Sequence, residues 1–322
     1  MPANPTALSF IGVAKESVVG TFVPAVAYLP VTTFDPQDMT TWLPDVSWRG
    51  SMVETYNKVA GPIWSEIKLG GPVYPDTIGY PIMGILGDVV DSGASAPFSH
   101  VGSVKNSSTG QPTSHSLNDF DSVDNRGYTG IQWYGLDFKW DGEKFLTWDG
   151  DCKGFQSATQ TKPAFSNSLI PPLPGWLSAV TINSISALTL VDAEISIKRK
   201  GGPIHTADGT QAPYQIFVGE IAVTGKMTLV ADATTQLTNY LAGTKIPLDF
   251  NFTQGAAAAL VQVKFHMSNC NLDLVAPKRG KEYVQYDVTF EAVANTTDAG
   301  ASGGQSPIKV TLQNAIAAAT YI

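Results

Sequence analysis

The sequence predicts a mainly β fold of antiparallel strands with short flanking helices, laid out as two similar halves. Three observations carry this. Val261, Val263, Phe265 and Met267 alternate with Gln262, Lys264, His266 and Ser268, the period of a strand with one buried and one solvated face. Two segments of equal length, Asp76 to Gly87 and Asp232 to Gly243, each read as a helix between an acidic N-cap and a glycine stop. Only 15% of the 322 residues are charged, against roughly a quarter in an average soluble domain. Thr, Ser, Asn, Gly and Pro cover the surface instead, which suits turns, strands and subunit contacts that desolvate no ions.

In chain order, strands are expected around Trp42 to Tyr56 and from Gly61 through Trp64 to Leu69. The Asp76 helix follows, with Ile78, Ile82, Ile85 and Leu86 as its apolar face. Pro81 is expected to kink or shorten it. Ser92 to Asn125 reads as a polar loop rich in Gly and Ser. Leu136, Phe138 and Trp140 then alternate, and Asp141-Gly142 supplies the positive φ of a tight turn, so Ile131 to Trp148 reads as a hairpin.

Ser157 to Gly175, SATQTKPAFSNSLIPPLPG, has no apolar period and reads as a linker. It separates residues 1–156 from residues 176–322. The second stretch offers strands around Ala187 to Lys198 and Ile221 to Leu229, and a helix over Ala233 to Ala242 with Asp232 as cap and Leu237, Tyr240 and Leu241 on one face. Strands then run from Val261 to Phe290, with Val284, Tyr286, Val288 and Phe290 alternating. A flexible stretch, Asp298 to Ser306, precedes a last strand, Ile308 to Leu312. Order and type of element agree between the halves though residue identities do not, which points to an internal structural duplication.

The net charge of -8 opposes binding of a polyanion. The basic clusters Lys198-Arg199-Lys200 and Lys278-Arg279-Gly280-Lys281 sit beside glycine and read as solvated turns. Cys152 and Cys270 lack metal spacing and read as buried free thiols of a reducing cytoplasm. No basic residue precedes Lys15 and no long apolar run occurs, so neither a signal peptide nor a membrane span is expected.

Candidate chemistry is sparse. His100, His115, His205 and His266 have no nucleophile or carboxylate at a motif spacing, and no P-loop, GxSxG, HExxH or GxGxxG occurs. No enzyme activity, metal or cofactor is therefore expected. Asp119, Asp121 and Asp124 imitate a calcium loop, but Gly130 stands where the bidentate Glu belongs. Trp133, Trp140 and Trp148 with Asp137, Asp141, Glu143, Asp149 and Asp151 form the most enzyme-like hairpin. Carboxylates beside aromatic platforms would suit a carbohydrate-binding or hydrolytic module of a virion or cell surface. That is the alternative to a structural role.

The runs IGVAKESVVGTFVPAVAYLPVTTFDP (Ile11 to Pro36), DVSWRGSM (Asp45 to Met52), GPIW (Gly61 to Trp64) and GGPVYPDTIGYPIMGILG (Gly70 to Gly87) resemble the opening of tail tube proteins of long-tailed bacteriophages, especially those of actinobacteria. PLPGW, DAEISIKRKGGPI and VTGKMTL resemble that family's second half more loosely. The resemblance implies an antiparallel β-sandwich with a short helix at its side and no catalytic residue. It also implies a virion subunit, assembled in the host cytoplasm, whose stacked rings form the conduit for genome delivery. A tape-measure protein and a tail terminator are the implied partners, and DNA transits without sequence-specific binding. Two tandem tail-tube-like halves favour three chains per ring with pseudo-six-fold symmetry over six chains. Asp45, Trp48, Arg49, Glu54 and Tyr56, a blend of aromatic and charged side chains, are the candidate contacts between rings.

Overall fold

The computed structural model describes residues 5–280 and 282–322. Eighteen strands and two α-helices succeed one another as β1 (Phe10–Lys15), β2 (Ala27–Leu29), β3 (Thr33–Asp45), β4 (Asn57–Pro72), α1 (Gly79–Leu86), β5 (Gly87–Ser92), β6 (Phe98–Val104), β7 (His115–Phe120), β8 (Asn125–Asp141), β9 (Thr147–Gly154), β10 (Ala158–Thr159), β11 (Ser178–Ile182), β12 (Ile185–Ser186), β13 (Leu190–Ile204), β14 (Gln215–Val230), α2 (Thr235–Leu241), β15 (Ile246–Gln254), β16 (Val261–Lys278), β17 (Gln285–Ala292) and β18 (Lys309–Asn314). All strand pairs are antiparallel.

The pairings resolve into two facing layers. The first runs β3-β4-β9-β8-β13-β14-β17 and ends on the C-terminal part of β16. In the second, the N-terminal part of β16 lies between β15 and β18, continuing through β11 to β12 on one side and through β6 to β5 on the other. Thus β16 passes from one layer to the other. The N-terminal part of β8 leaves the first layer in the same way, into a small sheet ordered β2-β1-β7-β8-β10.

Alternation makes the core between the layers. Leu136 and Phe138 on β8 are fully buried, as are Ile195 and Ile197 on β13, and they face Phe250, Phe252, Val263 and Phe265 of the other layer. Phe138 and Phe265 approach to 4.9 Å between ring centroids, and Trp140 meets Phe250 and Phe252 edge-on at 5.1 and 5.2 Å. Each such aromatic pair adds about 0.5–1.5 kcal/mol beyond its buried area. A single apolar cluster runs from Val13 to Tyr321, so strands from both sides of residues 157–175 share one interior.

Helix α1 is buried throughout. Gly84 lets it lie directly on β8, since a Cβ there would stand 2.6 Å from the Trp133 ring. Gly87, at φ 86°, ends the helix with its N–H on the Met83 carbonyl. The expected caps are displaced: Ile78 precedes α1 and Thr234 precedes α2, neither with a side-chain bond. Asp76 instead accepts the Tyr321 hydroxyl at its backbone carbonyl, 3.0 Å away. Pro81 lies in the first turn of this eight-residue helix, where its missing N–H has no helical acceptor to lose. On α2, Leu241 is 74% exposed, so the expected apolar face is carried by Leu237 and Tyr240.

Ser92 to Asn125 is not one loop. It contains β6 and β7, and β7 buries polar side chains: His115, Ser116 and Asn118 are at most 2% exposed. The protein replaces the solvation of Ser116 and of one His115 nitrogen, while the Asn118 amide and His115 Nδ1 are buried without a partner among the described residues. Glu16 accepts from Ser114, Ser116 and the Gly130 N–H at 2.6, 2.8 and 2.8 Å, and His115 Nε2 meets the Tyr321 carbonyl at 3.1 Å. Burial pulls the His115 imidazole down to about 4, so it is neutral at pH 7.

Lys198-Arg199-Lys200 is not a turn either; it lies inside β13. Arg199 is 8% exposed and donates to the Leu86 and Gly219 carbonyls, both at 3.1 Å. A guanidinium at the C-terminus of α1 satisfies an orphan carbonyl and complements the helix dipole. Burial lowers it to about 10, which leaves it protonated. Lys278 closes β16 and Arg279 and Gly280 follow it, while Lys281 lies outside the described residues. The Asp298 to Ser306 segment is anchored, not loose, because fully buried Asp298 accepts from Ser268 and Asn295 at 2.8–2.9 Å.

The two long hairpins repeat each other in register. In β3–β4, Thr33 pairs Gly70, Thr40 pairs Ile63, a bulge intervenes, and Trp42 and Asp45 pair Ala60 and Asn57. In β13–β14, Asp192 pairs Thr228, Arg199 pairs Ile221, a bulge intervenes, and Gly201 and Ile204 pair Val218 and Gln215. A constant offset on each strand converts one list into the other. The same holds for the next pairs. Ser65–Gly154 through Pro72–Thr147 becomes Val223–Ala292 through Val230–Gln285, and the bulge between Trp133 and Gly135 becomes that between Leu272 and Leu274. The first layer is one four-stranded unit, β3-β4-β9-β8, followed by a second, β13-β14-β17-β16.

Candidate assembly surfaces

The solvent face of the first layer carries charge in rows. Residues between the buried positions place Lys139 against Asp149 (3.6 Å), Lys153 against Glu66 (2.9 Å), Lys198 against Asp137 (3.6 Å), Lys226 against Glu194 (2.9 Å) and Lys278 against Asp287 (3.2 Å). These exposed pairs are worth little to stability, at most about 1 kcal/mol each. Their effect is on potential. On the same face Asp35, Asp151, Asp192 and Glu291 have no cationic partner within 4.0 Å among the described residues, against Lys68 alone among the lysines, so the face is acidic in sum.

The enzyme-like hairpin separates into two faces here. Trp133, Trp140 and Trp148 point into the core at 0–4% exposure, while Asp137, Asp149 and Asp151 lie on the charged face. None of these three tryptophans forms a platform on the face that carries the carboxylates. Asp141 orders the turn, its carboxylate accepting from the Glu143 and Lys144 N–H groups at 2.9 Å, and the loop runs from 142 to 146. Asp121 likewise accepts from Val123 and Asp124 at 2.8 and 2.7 Å, which makes the calcium-like segment a turn between β7 and β8.

One constellation escaped motif spacing because its members come from neighbouring strands. His266 Nδ1 lies 2.6 Å from Asp249, and its Nε2 lies 3.0 Å from the Ser268 hydroxyl. The order imitates a nucleophile, base and orienting acid. However, the Ser268 hydroxyl donates to buried Asp298 at 2.8 Å, so its proton is committed away from the histidine. Partial burial acts to raise the Asp249 carboxyl, but bonds from His266 and Lys264 hold it down to about 2. The cluster anchors the 295–306 segment. His100 is buried between Asp91 (2.6 Å) and the Ile316 carbonyl (3.0 Å). Cys152 and Cys270 are free and buried, and burial pushes the Cys270 thiol up to about 12.

Two edges of the first layer have no partner strand among the described residues: the outer side of β3 and that of β16 from Leu272 to Lys278. Each carries a proline, Pro36 or Pro277. The Gly70 carbonyl accepts from Thr32 and so faces β3. By alternation Ile67 faces β9, and Pro36 opposite it turns its backbone to the free side. The Val293 N–H donates to Asn269, and the same alternation turns the Pro277 backbone outward. A proline whose missing donor faces the open side blunts an edge against indiscriminate strand addition.

Among the residues expected to contact other rings, Asp45, Arg49 and Tyr56 are brought together. Arg49 pairs with Asp45, and its guanidinium lies 5.1 Å from the centre of the Tyr56 ring. Trp48 and Glu54 stand apart from that cluster in the loop 46–56, and Trp48 and Met52 are fully exposed. The strands end and begin at Asp45 and Asn57, so the centre of the expected strand region is the loop. Its counterpart 205–214 folds back on β4, with Gln211 donating to the Ala60 and Gly61 carbonyls at 2.9 and 3.0 Å.

A family model described as phage tail tube protein matches residues 6–292. No curated protein matches significantly.

Proposed function

This chain belongs to the phage tail tube protein family, structural subunits of the virion tail, and we propose that three copies of it close one ring of the tube. The supporting observation is the repeated four-stranded unit with its shared registers and bulges. One chain then supplies two tail-tube-like halves, joined through residues 157–175, and the β8–β13 pairing already makes the contact between successive units. Three chains give the pseudo-six-fold ring. Counting chains per layer in a reconstruction of the tube tests this: three are expected, and six around one ring overturn it.

In this reading the charged face of the first layer lines the lumen. Closing its ends onto neighbours makes a barrel without exposed edges, and an acidic lining lets DNA slide past without the counterion release that would bind it. The chain contributes a conduit and no chemistry. The tape-measure protein would occupy the same lumen before ejection, and the terminator would cap the last ring.

Stacking of rings is assigned to the 46–56 loop, with Asp45, Arg49 and Tyr56 bracing its base and Trp48 and Met52 presented to a partner. Arg49→Glu places a second acid beside Asp45 and frees the Tyr56 ring. Because the site is exposed, the chain is expected to stay folded, with a stability change within about 1 kcal/mol. Tube length by negative-stain microscopy should fall to short stacks or single rings. Full-length tubes from the variant would remove this loop from the stacking contact.

A further inference from the structure

The internal β8–β13 seam is a template for a seam that the isolated chain lacks. We infer that Thr33–Met39 of one copy pairs antiparallel with Leu274–Gly280 of the next, in the register that the repeat dictates. This inference rests on the three-chain ring and adds which strands meet, and how.

In the internal seam Asp192 lies opposite Asp141, Ala193 opposite Trp140, Glu194 opposite Lys139, Ile195 opposite Phe138, and Lys198 opposite Gly135. The registers of β4, β9, β14 and β17 fix the equivalences on both sides. Asp192 corresponds to Thr33 and Lys198 to Met39; Gly135 corresponds to Leu274 and Lys139 to Lys278. Transposed, Asp35 of one copy faces Lys278 of the next, Pro36 faces Pro277, Gln37 faces Ala276, and Met39 faces Leu274.

Side chains that played no part in the transposition complement one another. Asp35–Lys278 sets an acid opposite a base, as the internal register sets Glu194 opposite Lys139. Leu274 is 44% exposed, and the transposed partner is the partly exposed methionine Met39. Cross-strand ion and apolar pairs of these kinds are what stabilise an antiparallel ladder.

The prolines take a defined place. Both backbones face the seam, so the Pro36–Pro277 rung carries no hydrogen bond, whereas the flanking rungs Phe34–Arg279 and Asp38–Val275 retain their donors. A seam with an empty central rung gives a lone edge little to template. It forms when several side-chain contacts are made together, as in a ring built on an existing one.

Paired cysteines test the register. Gln37→Cys with Ala276→Cys sits on a non-hydrogen-bonded rung, where Cα atoms are about 4.5 Å apart, within disulfide reach. Gln37→Cys with Lys278→Cys is the diagonal control. Mild oxidation of assembled tubes, followed by denaturing non-reducing gels, should link the first pair into dimers and trimers at several-fold higher yield than the control, and neither single variant should yield trimers. Both substitutions are at solvent-facing edge positions, and Cys152 and Cys270 are buried. Preferential linking of the control, in tubes with three chains per ring, overturns the register and leaves the ring standing. No linked product from such tubes overturns the seam itself. Six chains per ring overturn the reading on which the seam rests.

Discussion

Phe265→Ala is expected to destabilise the whole chain by about 3–5 kcal/mol, the usual cost of removing a fully buried aromatic ring. Phe265 is 0% exposed and lies on β16, the strand that passes between the layers, with its ring 4.9 Å from that of Phe138. The two residues sit on opposite sides of the 157–175 segment. If their shared core makes one cooperative unit, denaturant unfolding followed by tryptophan fluorescence should show a single transition displaced as a whole. The buried reporters Trp133, Trp140 and Trp148 all precede residue 157, so they sense the second half only through that core. A fluorescence transition left in place while circular dichroism loses strand signal early would mean that the halves unfold independently.

How much of this was legible depends on where the information lay. β16 was readable because Val261, Val263, Phe265 and Met267 are buried and the residues between them are not. The same reasoning failed at β7, whose pattern HSLNDF has almost no apolar alternation. Its burial depends on Glu16 and Tyr321, remote in sequence, which satisfy Ser116 and His115. Arg199 looked solvated for a related reason: its acceptor, the Leu86 carbonyl, belongs to another element.

The repeated order of elements was readable in outline from the two glycine-ended helices, but the glycines read as opening the preceding strands, Gly61 and Gly225, lie inside β4 and β14. The depth of the duplication was hidden because a ladder is held by backbone bonds and alternation, which tolerate nearly any side chain. Gly61 and Gly219 coincide in the repeat, as do Lys68 and Lys226, while the position of Trp64 is taken by Ala222. Register and bulge positions outlast identity. For the assembly surfaces, the composition of the 46–56 loop was readable but its docking was not, because a lone chain holds only one side of each contact. Asp45, Arg49 and Tyr56 meet through a hairpin, a local geometry that sequence can suggest.

The charge of the lumen should decide whether DNA passes or sticks. Asp151→Lys, Asp192→Lys and Glu291→Lys together reverse three carboxylates on the charged face, each outside the lysine pairs that cross the strands. None is in the core, so each should alter stability by no more than about 0.5 kcal/mol, and tubes should still form. Each ring would then present a basic band, repeated along the tube, to the phosphates of a transiting duplex. Neutralising six to ten phosphates makes affinity fall roughly 10³–10⁵-fold between about 50 and 200 mM salt. Variant tubes are therefore expected to retain double-stranded DNA at the lower salt and release it at the higher, with ejection from variant virions stalled. Unaltered tubes should retain little at either. The measurement is co-sedimentation of labelled DNA with purified tubes, with microscopy to separate lumenal from external binding. DNA decorating only the outer wall of variant tubes would place this face outside, and the second layer would have to line the channel instead.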